Sequence, residues 1–403
     1  MMQSLQEREQ SLMACMRPRQ VTSRVHFPGL NELRFIAWFA VFVGHVERWK
    51  DFYGYPDRFW IHGRLGVTFF YVITGLGVTL FFVISGFLIT YLLLSEKWSL
   101  GSISIKDFYV RRMLRIWPLY FLLILLCMLV INRVGPLAAP AHQAIIDKDF
   151  WRILGAHALF LPTLVPAVLH TAQVWSVAVE EQFYIVWPWI VKWGRGLWLL
   201  TLVPVAAVFA PTIILEWPVN WRSSSEIIAA VDYAHNFSCL GIGCLTAICY
   251  MTAPPILLRF LYHPAVQASA VGSLVVLLWI GHRGGQQVMW VLGADVRWFS
   301  LLFAIVILNV ATNPRPLFRL ENRVADYLGR ISYGLYMLHT IAIALAIYAL
   351  RPIISDEYRG WLSNATLYIL SFALSVLVAT ASYYLFEQPF LRLKSRFARV
   401  PSG

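Results

Sequence analysis

The chain has 403 residues, of which 59% are hydrophobic and 13% charged, against roughly a quarter charged in an ordinary soluble domain. With a mean hydropathy of +0.64, 17 Trp, 18 Tyr and 26 Phe, it carries more apolar surface than one aqueous core can bury. A soluble globule, a disordered chain, a collagen and a disulfide scaffold are all excluded. The formal charge of +12 would raise nucleic acid as a partner in a soluble protein, but its distribution along the chain argues against that.

Hydropathy windows of about 19 residues place membrane spans at 33–46, 75–94, 115–131, 174–191, 197–215, 227–250, 265–280, 288–310, 327–350 and 362–385. The fold expected is all-α and polytopic, with about ten transmembrane helices. Two further apolar stretches, 66–74 and 153–168, are short or broken by Pro162 and Pro166, and read as re-entrant or interfacial. With the N-terminus inside, nearly two-thirds of the 33 Lys and Arg fall on cytoplasmic segments, so both termini are expected in the cytoplasm. The basic excess then answers to anionic lipid headgroups or an anionic cytosolic ligand. Residues 1–26 form a polar tail without the apolar run of a signal peptide, 27–391 the membrane domain, and 392–403 a basic tail. The five cysteines, Cys15, Cys127, Cys239, Cys244 and Cys249, show no metal-ligand spacing and read as small apolar fillers. No metal site is expected.

Ionisable side chains inside a span cost several kcal/mol unless they face protein or a wet cavity, so each is a functional candidate. In the first span Arg34 and His45 lie eleven residues apart, about 20° off one line and about 16 Å along the axis, so they share a face. One helix would mark both ends of a passage; the alternative is an anchoring arginine and an interfacial histidine. Arg112 and Arg115 enter the third span one turn apart, a spacing that suits two guanidinium forks on a polyphosphate and equally suits a stop-transfer anchor. The fourth span opens with Trp175, Ser176, Glu180, Glu181 and Tyr184. A carboxylate there either complements the helix dipole or meets His45 as an acid/base partner, and Tyr184, one turn from Glu181, could bond it. Ser85 and Gly86 form a small pair in the second span that reads first as a helix crossing. In the ninth, Ser332, Tyr336 and His339 occupy neighbouring turns, suited to interhelical bonding or to a ligand. Glu387, ending the tenth, is expected in a structural pair with a cytoplasmic arginine.

The stretches Leu33-Arg-Phe-Ile-Ala through His45, Phe81-Phe-Val-Ile-Ser-Gly-Phe-Leu-Ile, Tyr109-Val-Arg-Arg-Met-Leu-Arg-Ile-Trp-Pro118, Trp175-Ser-Val-Ala-Val-Glu-Glu-Gln-Phe-Tyr184 and Leu328-Gly-Arg-Ile-Ser-Tyr-Gly-Leu-Tyr-Met-Leu-His339 together resemble the acyltransferase-3 family of mainly bacterial membrane O-acyltransferases, in order and over almost the whole chain. The resemblance implies an inner-membrane, multi-pass enzyme that binds no cofactor and moves an acyl group, usually acetyl, from cytoplasmic acyl-coenzyme A to a hydroxyl of a glycan, glycolipid or similar acceptor on the outer side. It implies that Arg112 and Arg115 hold coenzyme A phosphates, that Arg34 lines the inner end of the passage, that His45 is base or transient acyl carrier, and that Glu181 supports it. Glu180, Trp175, Ser176, Tyr184, Ser85, Ser332, Tyr336 and His339 are supporting or substrate-contacting candidates. Two departures stand out. Asn31 and Glu32 replace the family's frequent Asp-Gly before Leu33-Arg34, and Thr79 replaces an Asp before Phe81. Some relatives carry an extracytoplasmic hydrolase-like domain for which this chain leaves no room, so the membrane unit is expected to suffice or to use a separate partner. A transporter or flippase with a proton path through His45 and Glu181 is the alternative.

Overall fold

In the computed structural model the described residues are 27–53, 64–133, 135–194, 196–216, 225–291, 296–352 and 361–399. Among them there are helices and turns and no strand. In chain order the helices are α1 (Leu30–Phe52), α2 (Arg64–Leu100), α3 (Ile105–Leu126), α4 (Pro140–Ala158), α5 (Val174–Trp193), α6 (Leu197–Glu216), α7 (Ser225–Thr252), α8 (Pro255–Leu261), α9 (Pro264–Val291), α10 (Val296–Thr312), α11 (Arg323–Arg330), α12 (Ser332–Leu350), α13 (Trp361–Ser382) and α14 (Gln388–Ser395). π-helical turns extend α3 over Cys127–Ile131 and join α13 to α14 over Tyr383–Glu387. The polar tail 1–26, Cys15 included, lies outside the described residues.

Among the described residues, five helical stretches are long and apolar enough to cross a membrane: Val72–Leu100, Ile105–Ile131, Ala234–Thr252, Ser332–Leu350 and Trp361–Ser395. The pair Pro255–Leu261 and Pro264–Ile280, bent by 49°, makes a sixth if taken together, and Leu199–Ala210 and Arg297–Thr312 are shorter apolar helices. The protein is therefore a multi-pass membrane protein. Neither α1 nor α5 is among the five, and the reason is chemical: α1 carries Glu32, Arg34, Glu47, Arg48 and Lys50, and α5 carries Glu180, Glu181 and Lys192.

Several boundaries differ from the hydropathy reading. The stretch 66–74, set aside as interfacial, is the opening of α2, a continuous helix of 37 residues and about 55 Å, longer than a hydrocarbon core is thick. The ninth span, expected unbroken over 327–350, is divided at Ile331 into α11 and α12. Asn322 starts α11 by accepting from the Val324 and Ala325 amides at 2.9 and 3.0 Å, a cap that a hydropathy window does not weigh. The eighth, expected from 288, begins at Val296, and its first residues belong to α9. The 391/392 boundary falls inside α14, which packs on α3.

The core is built around α2, which packs on α1 and α7. At the α2/α7 crossing a Cβ on Gly86 would collide with the Leu240 carbonyl, and one on Gly243 with the Val83 carbonyl, so the backbones touch only because both positions lack side chains. Gly329 does the same for α11 against the Asn31 backbone at the start of α1. α12 packs on α13 and on α1, and the N-terminus of α5 is tied to α12 by Gln173, whose Nε2 donates to the Met337 carbonyl at 2.7 Å. These crossings bring α1, α2, α3, α5 and α12 around one interior space. Cys127, Cys239 and Cys244 are buried, Cys249 is half-buried, and all four are free thiols.

Candidate active site

A cavity of about 110 Å³ lies among those five helices. α1 contributes Arg34; α2 contributes Val78, Phe81, Phe82, Ile84, Ser85, Leu88 and Ile89; α3 contributes Arg112, Arg115 and Ile116. Ser176, Val177, Glu180 and Tyr184 come from α5, and Ser332, Tyr333 and Tyr336 from α12. Three guanidinium groups thus share the space with one carboxylate. Arg34 Nη1 is held by Asn31 Oδ1 at 3.1 Å. Arg112 lies over the rings of Tyr184 (5.6 Å) and Phe108 (5.7 Å), and its Nε is buried without a partner. Among the described residues none of the three pairs with a carboxylate within salt-bridge distance, although Arg112 and Arg34 both lie within electrostatic reach of Glu180.

The hydroxyl groups can be ordered by counting hydrogens. Tyr184 donates its only hydrogen to Glu180 Oε2 at 2.9 Å, so the 2.5 Å contact with Ser85 Oγ must be donated by the serine. Ser176 and Tyr336 share a 2.6 Å hydroxyl contact beside the Gln173 carbonyl, which lies 3.0 Å from the serine and 3.4 Å from the tyrosine oxygen. Ser85 and Gly86 divide the two readings of their motif, since the serine lines the cavity while the glycine makes the helix crossing.

His45 lies three turns along α1 from Arg34, half-buried, and is not among the lining residues. Its partner is His339: Nδ1 of His45 is 2.6 Å from Nε2 of His339, whose own Nδ1 bonds the Tyr336 carbonyl at 2.8 Å. Tyr336 in turn lines the cavity, so the histidine pair adjoins the cavity through that residue. Of the two residues expected to mark a passage along α1, Arg34 lines the cavity and His45 lies outside its lining, against His339.

Glu181, expected beside His45, accepts from Trp117 Nε1 at 2.9 Å through Oε2, while its Oε1 is buried without a partner; no described contact joins it to the imidazole. Glu180 is the carboxylate of the cavity. Trp175 packs edge-on against Phe82 and lies outside the lining. Glu387, expected in an ion pair with an arginine, accepts from Ser382 at 2.9 Å and lies within electrostatic reach of Arg115 without a described salt bridge.

The departures in the first motif are absorbed locally. Asn31 accepts from Arg34 and donates through Nδ2 to Asp326 at 2.9 Å, and Asp326 pairs with Arg330 at 2.7 Å. An aspartate at 31 would face Asp326 across that contact, so the amide is matched to its neighbour. Glu32 Oε1 accepts the Asn322 amide at 3.4 Å, at the start of α11. Sequence reasoning missed Tyr333, whose hydroxyl donates to the Ile116 carbonyl at 2.6 Å, and Lys394 of α14, which lies within electrostatic reach of Arg115, Arg112 and Arg34. Tyr333 stood inside a motif already singled out; Lys394 carried only the general signal of a basic terminus.

The family model for the acyltransferase domain matches residues 27–384, and the chain belongs to the acyltransferase-3 family. Among curated proteins it is similar to O-acetyltransferase OatA of Staphylococcus aureus strain MRSA252, 25% identical over 93% of this chain and 60% of the relative. OatA of strain NCTC 8325 is 24% identical over 90% of this chain and 57% of the relative. The chain thus spans about three-fifths of the length of these relatives. No solved structure matches it.

Proposed function

We propose that this chain is an O-acyltransferase of the bacterial inner membrane, with about ten spans and both termini in the cytoplasm, that carries an acyl group, in the first instance acetyl, from acyl-coenzyme A to a hydroxyl of a glycan or glycolipid at the outer face. The observation that carries this reading is the convergence of Arg34, Arg112 and Arg115 from two helices on one cavity that none of them shares with a salt-bridge partner. The names of the relatives, O-acetyltransferases, point the same way.

In this reading the arginines grip the donor's phosphates, which fixes the thioester end along the cavity toward Tyr336 and the histidine pair. His45 takes the proton of the acceptor hydroxyl as its oxygen attacks the thioester carbonyl. The new C–O bond forms, the C–S bond breaks, and the leaving thiolate receives the proton back from His45, giving an ester and free coenzyme A. Transfer through an acyl-histidine uses the same atoms in two steps. Glu180 and Tyr184, bonded to each other beside Arg112, orient the donor end of the cavity. The transport alternative, a proton path through His45 and Glu181, draws no support from a described contact, since His45 meets His339 and Glu181 meets Trp117.

Membranes given labelled acetyl-coenzyme A and an envelope-glycan extract should place hydroxyl-linked label on the extract with the wild-type chain and lose it with His45→Ala. Label that persists in the variant removes His45 from the mechanism.

A further inference from the structure

A histidine that acts as base needs its lone pair on the nitrogen that faces substrate, and a free neutral imidazole does not fix which nitrogen that is. Here the choice follows from two contacts. The Tyr336 carbonyl can only accept, so the 2.8 Å contact is donated by Nδ1–H of His339. In neutral His339 this leaves Nε2 as an acceptor, and the 2.6 Å contact must then be donated by Nδ1–H of His45. The remaining nitrogen, Nε2 of His45, carries the lone pair. The ring geometry suits this assignment. Centroids 4.9 Å apart, a tilt of 10° and so short a nitrogen contact together require the rings to lie edge to edge in nearly one plane, which points the bond along the acceptor's lone pair.

We infer that His339 is a positioning residue: through the chain Tyr336 carbonyl, His339, His45 it holds His45 with its Nε2 unprotonated and stabilises the imidazolium formed when that nitrogen takes a proton. The role is that of the acidic member of a serine-hydrolase triad, filled by a neutral acceptor. A neutral partner suits the place. His339 is fully buried on α12 among apolar neighbours, where an isolated carboxylate would carry a large desolvation penalty. The contact also joins residues 294 apart in sequence, so α1 and α12 must dock before the base is set.

This inference rests on the acyl-transfer reading, and its test has a part that does not. In the full-length chain labelled with 15N-histidine and purified in detergent, the nitrogen shifts assigned by loss in His45→Asn should report His45 as the Nδ1–H tautomer, and His339→Leu should move it to the Nε2–H form. Turnover should fall about 100-fold in His339→Leu with the donor KM unchanged, the scale of losing general-base action. His339→Gln, whose amide oxygen can replace the Nε2 acceptor, should recover most of that loss. A wild-type His45 protonated on Nε2 overturns the inference, and so does a Gln variant as impaired as Leu, which would reduce His339 to packing. If instead the tautomer is as assigned and His45→Ala still transfers acyl groups, the hydrogen-bond relay stands, and the positioning role of His339 falls together with the catalytic reading of His45.

Discussion

The two ends of α1 hold charge in opposite ways. At the C-terminal end Lys50 is almost wholly buried, yet its ammonium meets Glu47 at 2.9 Å and Asn364 at 2.6 Å, and Tyr368 donates to the same Glu47 oxygen at 2.8 Å. The two buried charges there, Lys50 and Glu47, are matched inside the protein. At the N-terminal end Arg34 joins Arg112 and Arg115 around a cavity with one carboxylate, Glu180, that is itself bonded to Tyr184. Burial alone therefore does not mark a functional charge in this molecule. The mark is a buried charge whose neighbours do not neutralise it, because its missing counter-charge must arrive with a ligand.

The largest effect should come from breaking the closed end. Lys50→Met leaves Glu47 buried without its cation, which by analogy with other broken buried pairs costs about 3–5 kcal/mol. Thermal unfolding of the purified protein should shift sharply downward, while Lys50→Met combined with Glu47→Gln should recover much of the loss, since neither charge is then left alone. A single variant as stable as the wild type would mean that this cluster is not closed, and the contrast between the two ends would fail.

The open end should respond the other way round. Arg112→Ala removes a cation that repels Arg34 and Arg115, so the unfolding temperature should hold or rise slightly. The donor KM should increase about 10- to 100-fold with little change in kcat, the size of one or two charge-assisted hydrogen bonds to phosphate made equally in ground and transition states. A fall in kcat at saturating donor with KM unchanged would move Arg112 from donor binding to the chemistry.

How far the sequence foretold this contrast depends on the distance over which each feature is encoded. Arg34 with His45 and Arg112 with Arg115 are spacings within one helix, as is Tyr184 with the glutamate pair, although Tyr184 was expected on Glu181 and bonds Glu180. Periodicity reads such spacings directly, and Arg34, Arg112, Arg115, Glu180, Tyr184, Ser85, Ser176, Ser332 and Tyr336 do line one cavity. The partner of His45 was beyond that reach. His339 stood in a motif of its own, and nothing local distinguishes an imidazole that meets another imidazole from one that meets Glu181, which goes to Trp117 instead. The division of α11 from α12 escaped for a related reason, since the Asn322 cap and the turn at Ile331 are set by single residues that a 19-residue average smooths away.

Lys394 offers the smallest and most discriminating trial of the comparison. By sequence it belonged to a basic tail whose charges answer to lipid headgroups. In the fold, Arg111 donates to the Phe397 carbonyl at 2.6 Å and Arg399 pairs with Asp107 at 2.7 Å, so the segment after α14 is fastened to the first turns of α3. That fastening keeps Lys394 within electrostatic reach of Arg115, Arg112 and Arg34, where it would act as a fourth cation once a donor's phosphates offset the three arginines. A half-buried ammonium acting at some distance is worth about 1 kcal/mol, so Lys394→Gln should raise the donor KM about fivefold and Lys394→Arg should restore it. The increment should shrink as salt is raised, because a half-buried charge is screened while Arg112 in the cavity is not. If Lys394→Gln leaves KM untouched at low salt, the open end stops at three arginines, and the docked tail serves only to brace α3.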